Sequence, residues 1–146
     1  MHYQYKFAKI LTIKEKEKND SESKYTEAVK EFESEAEHLY QVLKKKEELL
    51  DAQSEQLKQG LSVQQVRHNQ HFLENHEKMI AHYQKRVVET RSKMQFYHQL
   101  LIEKNVEVKK YEKIKEKDFQ RFFNMMKYEE NRQMDEISIQ QYMSRS

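Results

Sequence analysis

The sequence has no cysteine, no proline and no tryptophan, and only one glycine in 146 residues. Each absence removes a class of structure or chemistry. Without cysteine there are no disulfide staples and no thiolate zinc sites, which suits a reducing compartment. A single glycine cannot build the phosphate-cradling loop on which most nucleotide sites depend. A compact domain of this length needs several turns, and turns draw on Gly, Pro and Asn. Long hydrophobic runs are missing too. No apolar stretch approaches the roughly 18 to 20 residues that span a bilayer, and Met1 to Lys18 lacks the continuous apolar core of a signal peptide. A cytoplasmic protein is expected.

Charge of one sign is also absent. Lys and Arg number 27 against 25 Asp and Glu, a net of +2, and the two signs are intermixed along a chain that is 36% charged. Nucleic-acid binding calls for a concentrated basic face. Lys44, Lys45 and Lys46 are followed directly by Glu47 and Glu48, which is ordinary solvated helix surface. No nucleic-acid partner is expected.

What the sequence does have is periodic order. Val66, Leu73, Ile80, Val87, Met94, Leu101 and Val108 recur every seven residues, and Phe122 resumes the column after Lys115. Such a column is a coiled-coil seam. Three residues after each member comes a more polar column, Asn69, His76, Tyr83, Thr90, Tyr97, Lys104 and Tyr111. The first half pairs Tyr25, Phe32 and Leu39 with Val29, Ala36, Leu43, Leu50 and Leu57, and Lys46 and Gln53 interrupt the former column. Lys14 to Lys24 holds no apolar residue, so little burial is expected there.

Between the halves the turn can be read letter by letter. Gly60 suits the left-handed conformation that ends a helix. Ser62 and Gln65 have capping-box spacing, and Leu61 and Val66 stand where a hydrophobic staple belongs. The prediction is an all-α chain: one long antiparallel two-helix coiled-coil hairpin over 1–146. Helix 1 covers about 5–58, the turn 59–62 and helix 2 about 63–142. Folding at Gly60 would pair Leu57 with Val66, Leu43 with Ile80 and Val29 with Met94, with paired numbers summing to 123. Helix 2 then overhangs helix 1 from about Phe123. The overhang carries Met125, Met126, Tyr128, Met134, Ile137, Ile139 and Tyr142 without a partner in the chain, and such a helix is a docking element.

Catalytic chemistry finds no footing. His68, His71 and His76 with Glu74 invite a metal, but His71 and His76 are five apart and diverge around a helix, whereas zinc wants three converging ligands. Glu47 and Glu48 are adjacent and point about 100° apart. No enzyme, metal or cofactor is expected. Two readings besides a specific docking protein stay open: a generic structural or self-associating coiled-coil adaptor, and a membrane-surface protein anchored by Tyr3, Tyr5, Phe7, Ile10, Leu11 and Ile13 with Lys6, Lys9 and Lys14.

Three stretches resemble the Bacillus-type flagellar FliJ family of type III export proteins. They are the opening Tyr5 to Leu11, the segment from Gly60, Leu61 and Ser62 to Phe72 and Leu73, and the Gln133, Met134, Asp135, Glu136, Ile137 run. The resemblance spans nearly the whole chain. It implies a soluble component of the flagellar export apparatus, similar in form to the two-helix shaft of rotary ATPase γ subunits. The implied location is cytoplasmic and peripheral to the membrane-bound apparatus at the flagellar base.

The implied partners are the hexameric flagellar export ATPase, the cytoplasmic linker of the export gate and flagellar export chaperones. On this chain the ATPase contact would use Phe7, Ile10 and Leu11 with Met134, Asp135, Glu136 and Ile137. The gate contact would use Phe72, Met79 and Tyr83, while Lys45 and His76 fall where the family places larger apolar residues.

Overall fold

The computed structural model describes residues 2–145. It contains two helices, α1 over Ala8–Gln59 and α2 over Val63–Arg145, packed antiparallel as a helical hairpin. The composition explains why they run so long: no proline interrupts either one, and the only glycine sits at Gly60, between them.

The turn follows from three residues. Gly60 has φ of +89°, a region that side chains with a Cβ seldom adopt, and its amide donates to the Leu57 carbonyl at 3.3 Å. Ser62 Oγ accepts from the Gln65 amide at 3.2 Å, and Gln65 Oε1 accepts from the Ser62 amide at 3.1 Å. This reciprocal box satisfies two amides at the start of α2, where no preceding helical turn supplies carbonyls. Leu61 and Val66 line one shallow apolar pocket with Leu57 and Leu73, so the turn closes on its own side chains.

Packing divides the chain into two units. One is Ser21–Leu101; the other combines the residues up to Asp20 with those from Ile102 onward. In the Ser21–Leu101 unit, α2 buries the expected columns from Asn69 onward: Ile80, Val87, His76 and Thr90 are buried, and Leu73, Met94, Asn69, Tyr83 and Tyr97 half-buried, whereas Val66 beside the turn is 41% exposed.

The α1 seam differs from expectation by one residue. Tyr25, Phe32 and Leu39 do face inward, followed by Lys46 and Gln53, but their companion column is Ser21, Ala28, Glu35, Val42 and Leu49. Leu43, Leu50 and Leu57 are 41, 45 and 64% exposed. The inward columns of the two helices match when paired numbers sum to 122, not 123, so Val42, and not Leu43, stands opposite Ile80. Volume explains the choice. This register sets Ala28 against Met94, Ser21 against Leu101 and Phe32 against Thr90, small against large, which lets close-packed helices interdigitate.

Ion pairs flank the same register. Lys93 Nζ lies 2.9 Å from Glu31, Arg86 lies 3.4 Å from Glu31 and 3.5 Å from Glu35, and Lys46 pairs with Glu77. The Lys93 hydrogen bond, reinforced by Arg86, holds the Glu31 carboxyl below its ordinary range. The cost of burial acts in the opposite direction there and loses.

In the other unit, the chain before α1 is not helical, which corrects the expected helix start near residue 5. Residues 2–5 have no regular secondary structure and pack beside α2, and Lys6 and Phe7 form the turn into α1. Tyr5, Leu11 and Val108 make a buried cluster, with Tyr3, Phe7, Tyr111 and Ile114 packed against it. The terminal end therefore has its own core, built from the N-terminal segment, the start of α1 and the part of α2 before the overhang. Aromatic rings from the N-terminal segment supply the burial that Lys14 to Lys24 cannot.

Candidate functional site

Two surfaces carry the residues singled out above. The first belongs to the unit that contains both ends of the chain. Here Tyr5 donates its hydroxyl to the Tyr111 carbonyl at 2.9 Å. Tyr3 donates to the Lys115 carbonyl at 3.3 Å, and its hydroxyl also lies 3.2 Å from Asp118 Oδ2. The Tyr3 ring meets Phe119 edge-on at 5.2 Å and Phe122 at 5.3 Å. Burial raises both phenols above their ordinary value, and the Asp118 carboxylate adds to it.

Beyond this junction the described side chains of α2 are almost all exposed. Met126 is half-buried, and every residue from Lys127 to Arg145 is exposed. The exposed apolar side chains include Tyr128, Met134, Ile137, Ile139 and Tyr142. Arg132 and Glu129 form an ion pair within the helix at 3.8 Å. This segment keeps its helical bonds while its side chains from Lys127 to Arg145 stay exposed, so apolar groups lie on a solvated helix face.

The sequence-derived ATPase candidates are therefore not equivalent. Met134, Asp135, Glu136 and Ile137 are fully presented on the overhang, and Ile10 is exposed on α1. Phe7 is half-buried, its ring 6.1 Å from Tyr111. Leu11 is buried against Val108 in the cluster, so it supports this surface from beneath. Sequence reasoning missed Tyr3, Phe119 and Phe122 as a joined group. The signal that could have found them is the alternation of Tyr3, Tyr5 and Phe7 with His2, Gln4 and Lys6, the period of an extended segment with one covered side.

The second surface lies in the Ser21–Leu101 unit. Phe72 and Met79 are about half exposed, one heptad apart on α2. Tyr83 is half-buried and its ring sits 5.3 Å from His38. His76 turns inward: its Nε2 donates to the Val42 carbonyl at 2.6 Å, and its ring stacks on Phe72 at 6.5 Å. His68, His71 and Glu74 are exposed, and among the described residues no three His, Asp or Glu groups converge to hold a metal. No helix among them is long and apolar enough to cross a membrane. The N-terminal aromatic residues considered for a membrane surface are turned instead onto α2.

The family model described as flagellar FliJ protein matches residues 3–146. The flagellar FliJ protein of Bacillus subtilis (strain 168) is 47% identical over 143 residues, covering 98% of this chain and 97% of that relative. No solved structure matches the chain. With the match running from the N-terminal aromatic segment through the turn to the exposed end of α2, the chain belongs to the flagellar FliJ protein family.

Proposed function

We propose that this protein is a non-enzymatic component of the flagellar type III export apparatus. In this reading a single helical hairpin domain binds the hexameric export ATPase with the unit that holds its two ends. It binds the cytoplasmic linker of the export gate with the Phe72, Met79 and Tyr83 surface, and export chaperones with other helix faces. It works at the cytoplasmic side of the flagellar base, peripheral to the membrane. Family membership supports the flagellar assignment.

The observation that carries the ATPase reading is the run of exposed residues from Lys127 to Arg145. Apolar side chains such as Met134 and Ile137 lie there in water, although the same unit buries Tyr5, Leu11 and Val108 a short distance along the helix pair. The contact set then comprises Ile10, Met134, Asp135, Glu136 and Ile137, with Phe7 at its margin and Leu11 holding α1 in place behind it.

The test is Met134→Asp combined with Ile137→Asp, assayed by pull-down with the export ATPase. Placing two carboxylates in an apolar contact costs several kcal/mol, so binding is expected to vanish while circular dichroism shows the helix content retained. Undiminished binding would remove the overhang from the contact.

A further inference from the structure

The N-terminal segment does something the overhang reading does not require. Tyr3, Tyr5 and Phe7 turn towards α2, while His2, Gln4 and Lys6 stay exposed. The segment thereby packs over a band of α2 that includes Tyr111, Ile114 and Phe122, with Phe119 touching Tyr3 at its edge and still 45% exposed. That band does not stop at the edge of the segment. Phe119 stacks on Phe123 at 6.4 Å, and exposed Phe123 and Met125 lead directly into the exposed end of α2. One apolar face is thus covered in its first part and open in the rest.

The covering is held by few bonds, and of a kind that can be lost singly. Tyr3 and Tyr5 reach α2 through their phenol hydroxyls. The two carbonyls they meet, of Lys115 and Tyr111, lie inside a continuous helix, where each already has an amide donor four residues on. Detaching the phenols therefore strands no helical carbonyl. The side-chain acceptor, Asp118 Oδ2, would return to water. Open clefts flank the segment on both sides, one lined by Gln4, Lys6, Lys9 and Lys115 and the other by His2, Asp118, Arg121 and Met125. The rings of Tyr3, Tyr5 and Phe7 make the contact, with Tyr5 reaching the cluster of Leu11 and Val108.

We propose that residues 2–7 form a displaceable strap, closed over α2 at Tyr111–Phe122 in the free protein and lifted when the partner of the overhang extends its contact onto that band. The partner in question is the export ATPase of the preceding reading, on which this inference rests. The strap makes the apolar face shorter in the free protein than in the complex. It shields aromatic rings from water and from other apolar surfaces until a partner competes for them.

The chain has no native cysteine, so a pair of introduced thiols can be joined without ambiguity. Gln4→Cys with Lys115→Cys places one thiol on the strap and one on α2, both lining the same cleft, and leaves Tyr3 and Tyr5 intact. After closure with a short reducible bis-maleimide, affinity for the export ATPase is expected to fall at least about tenfold, a difference of about 1.4 kcal/mol, and to recover when the same sample is reduced. A strap-released variant, Tyr3→Ala with Tyr5→Ala, is expected to bind an apolar-surface dye more strongly than the closed form.

Equal ATPase affinity before and after reduction would overturn the strap while leaving the ATPase reading in place. No ATPase binding by the reduced protein would overturn that reading instead. Dye binding then decides the strap alone, because equal dye uptake by the closed, reduced and released forms would mean that nothing lies beneath it to uncover.

Discussion

His76 donates from Nε2 to the carbonyl oxygen of Val42, 2.6 Å away on the facing helix. Both residues are buried, and the bond ties one helix's side chain to the other's main chain in the middle of the seam. The Val42 carbonyl also accepts within α1, so losing the histidine leaves it a partner. His76→Ala is expected to destabilise the hairpin by about 2 kcal/mol, combining a lost hydrogen bond with a cavity. His76→Leu, which refills the space, should stay within about 1 kcal/mol of the parent. Urea midpoints decide the matter, and equal losses for the two variants would show that the ring's volume is irrelevant.

The register makes a second prediction. Val42→Cys with Ile80→Cys should form an intrachain disulfide readily, since those positions face one another across the seam. Leu43→Cys with Ile80→Cys should form it at least severalfold more slowly, because Leu43 is turned outward and 41% exposed. Gel mobility under non-reducing conditions reports both rates. Faster closure by the Leu43 pair would restore the register that apolar content alone suggests.

Stability should fall away at both extremes of pH, for different reasons. Glu31 is lowered by its hydrogen bond to Lys93 and Glu17 by its hydrogen bond to Lys104. Each binds a proton less readily folded than unfolded. Their contribution is complete above the ordinary value of 4.5 and disappears as the pH drops through the lowered folded values. Glu17→Gln with Glu31→Gln should flatten that acid limb in thermal melts. Tyr3 and Tyr5 are shifted upward by burial, so their contribution is complete below 10.0 and is lost as the pH climbs through the raised folded values. In an ultraviolet titration, Tyr3→Phe with Tyr5→Phe should remove the last phenols to ionise. A titration curve unchanged in its late part would contradict the burial of those rings.

These structural features were unequally visible in the sequence. The turn was fully legible because its parts are local: one glycine, then Ser62 and Gln65 at the spacing of a reciprocal cap. The α2 seam was legible because Leu73, Ile80 and Val87 repeat without competition. The α1 seam was not, since Tyr25, Phe32 and Leu39 are compatible with a companion column either three or four residues on. The column four on, through Leu43 and Leu50, is the more apolar. The chain uses the one containing Ser21, Ala28 and Glu35, because fit against Leu101, Met94 and Arg86 depends on volumes and charges of the facing helix. The N-terminal strap was hidden for another reason. Six residues are too few for alternation to stand out, and the helical phase of Ala8 and Leu11 continues plausibly backwards through them. On the candidate contact surface, the exposure of Met134 and Ile137 followed from counting residues past the hairpin's end. The burial of Leu11 required knowing that Val108 lies against it.

The bare end of α2 also has a thermodynamic character of its own. From Lys127 to Arg145 every side chain is exposed, so hydrogen bonds within the helix carry most of the resistance to fraying, and an isolated helix of this size is only marginally stable in water. Opening this end costs far less than opening the seam around Ile80 and Val87. Proteases should therefore trim the chain from here while the paired helices stay intact. Any partner that needs this segment straight must supply part of the ordering free energy itself, which makes its grip specific, weaker than the exposed apolar area suggests, and easy to release.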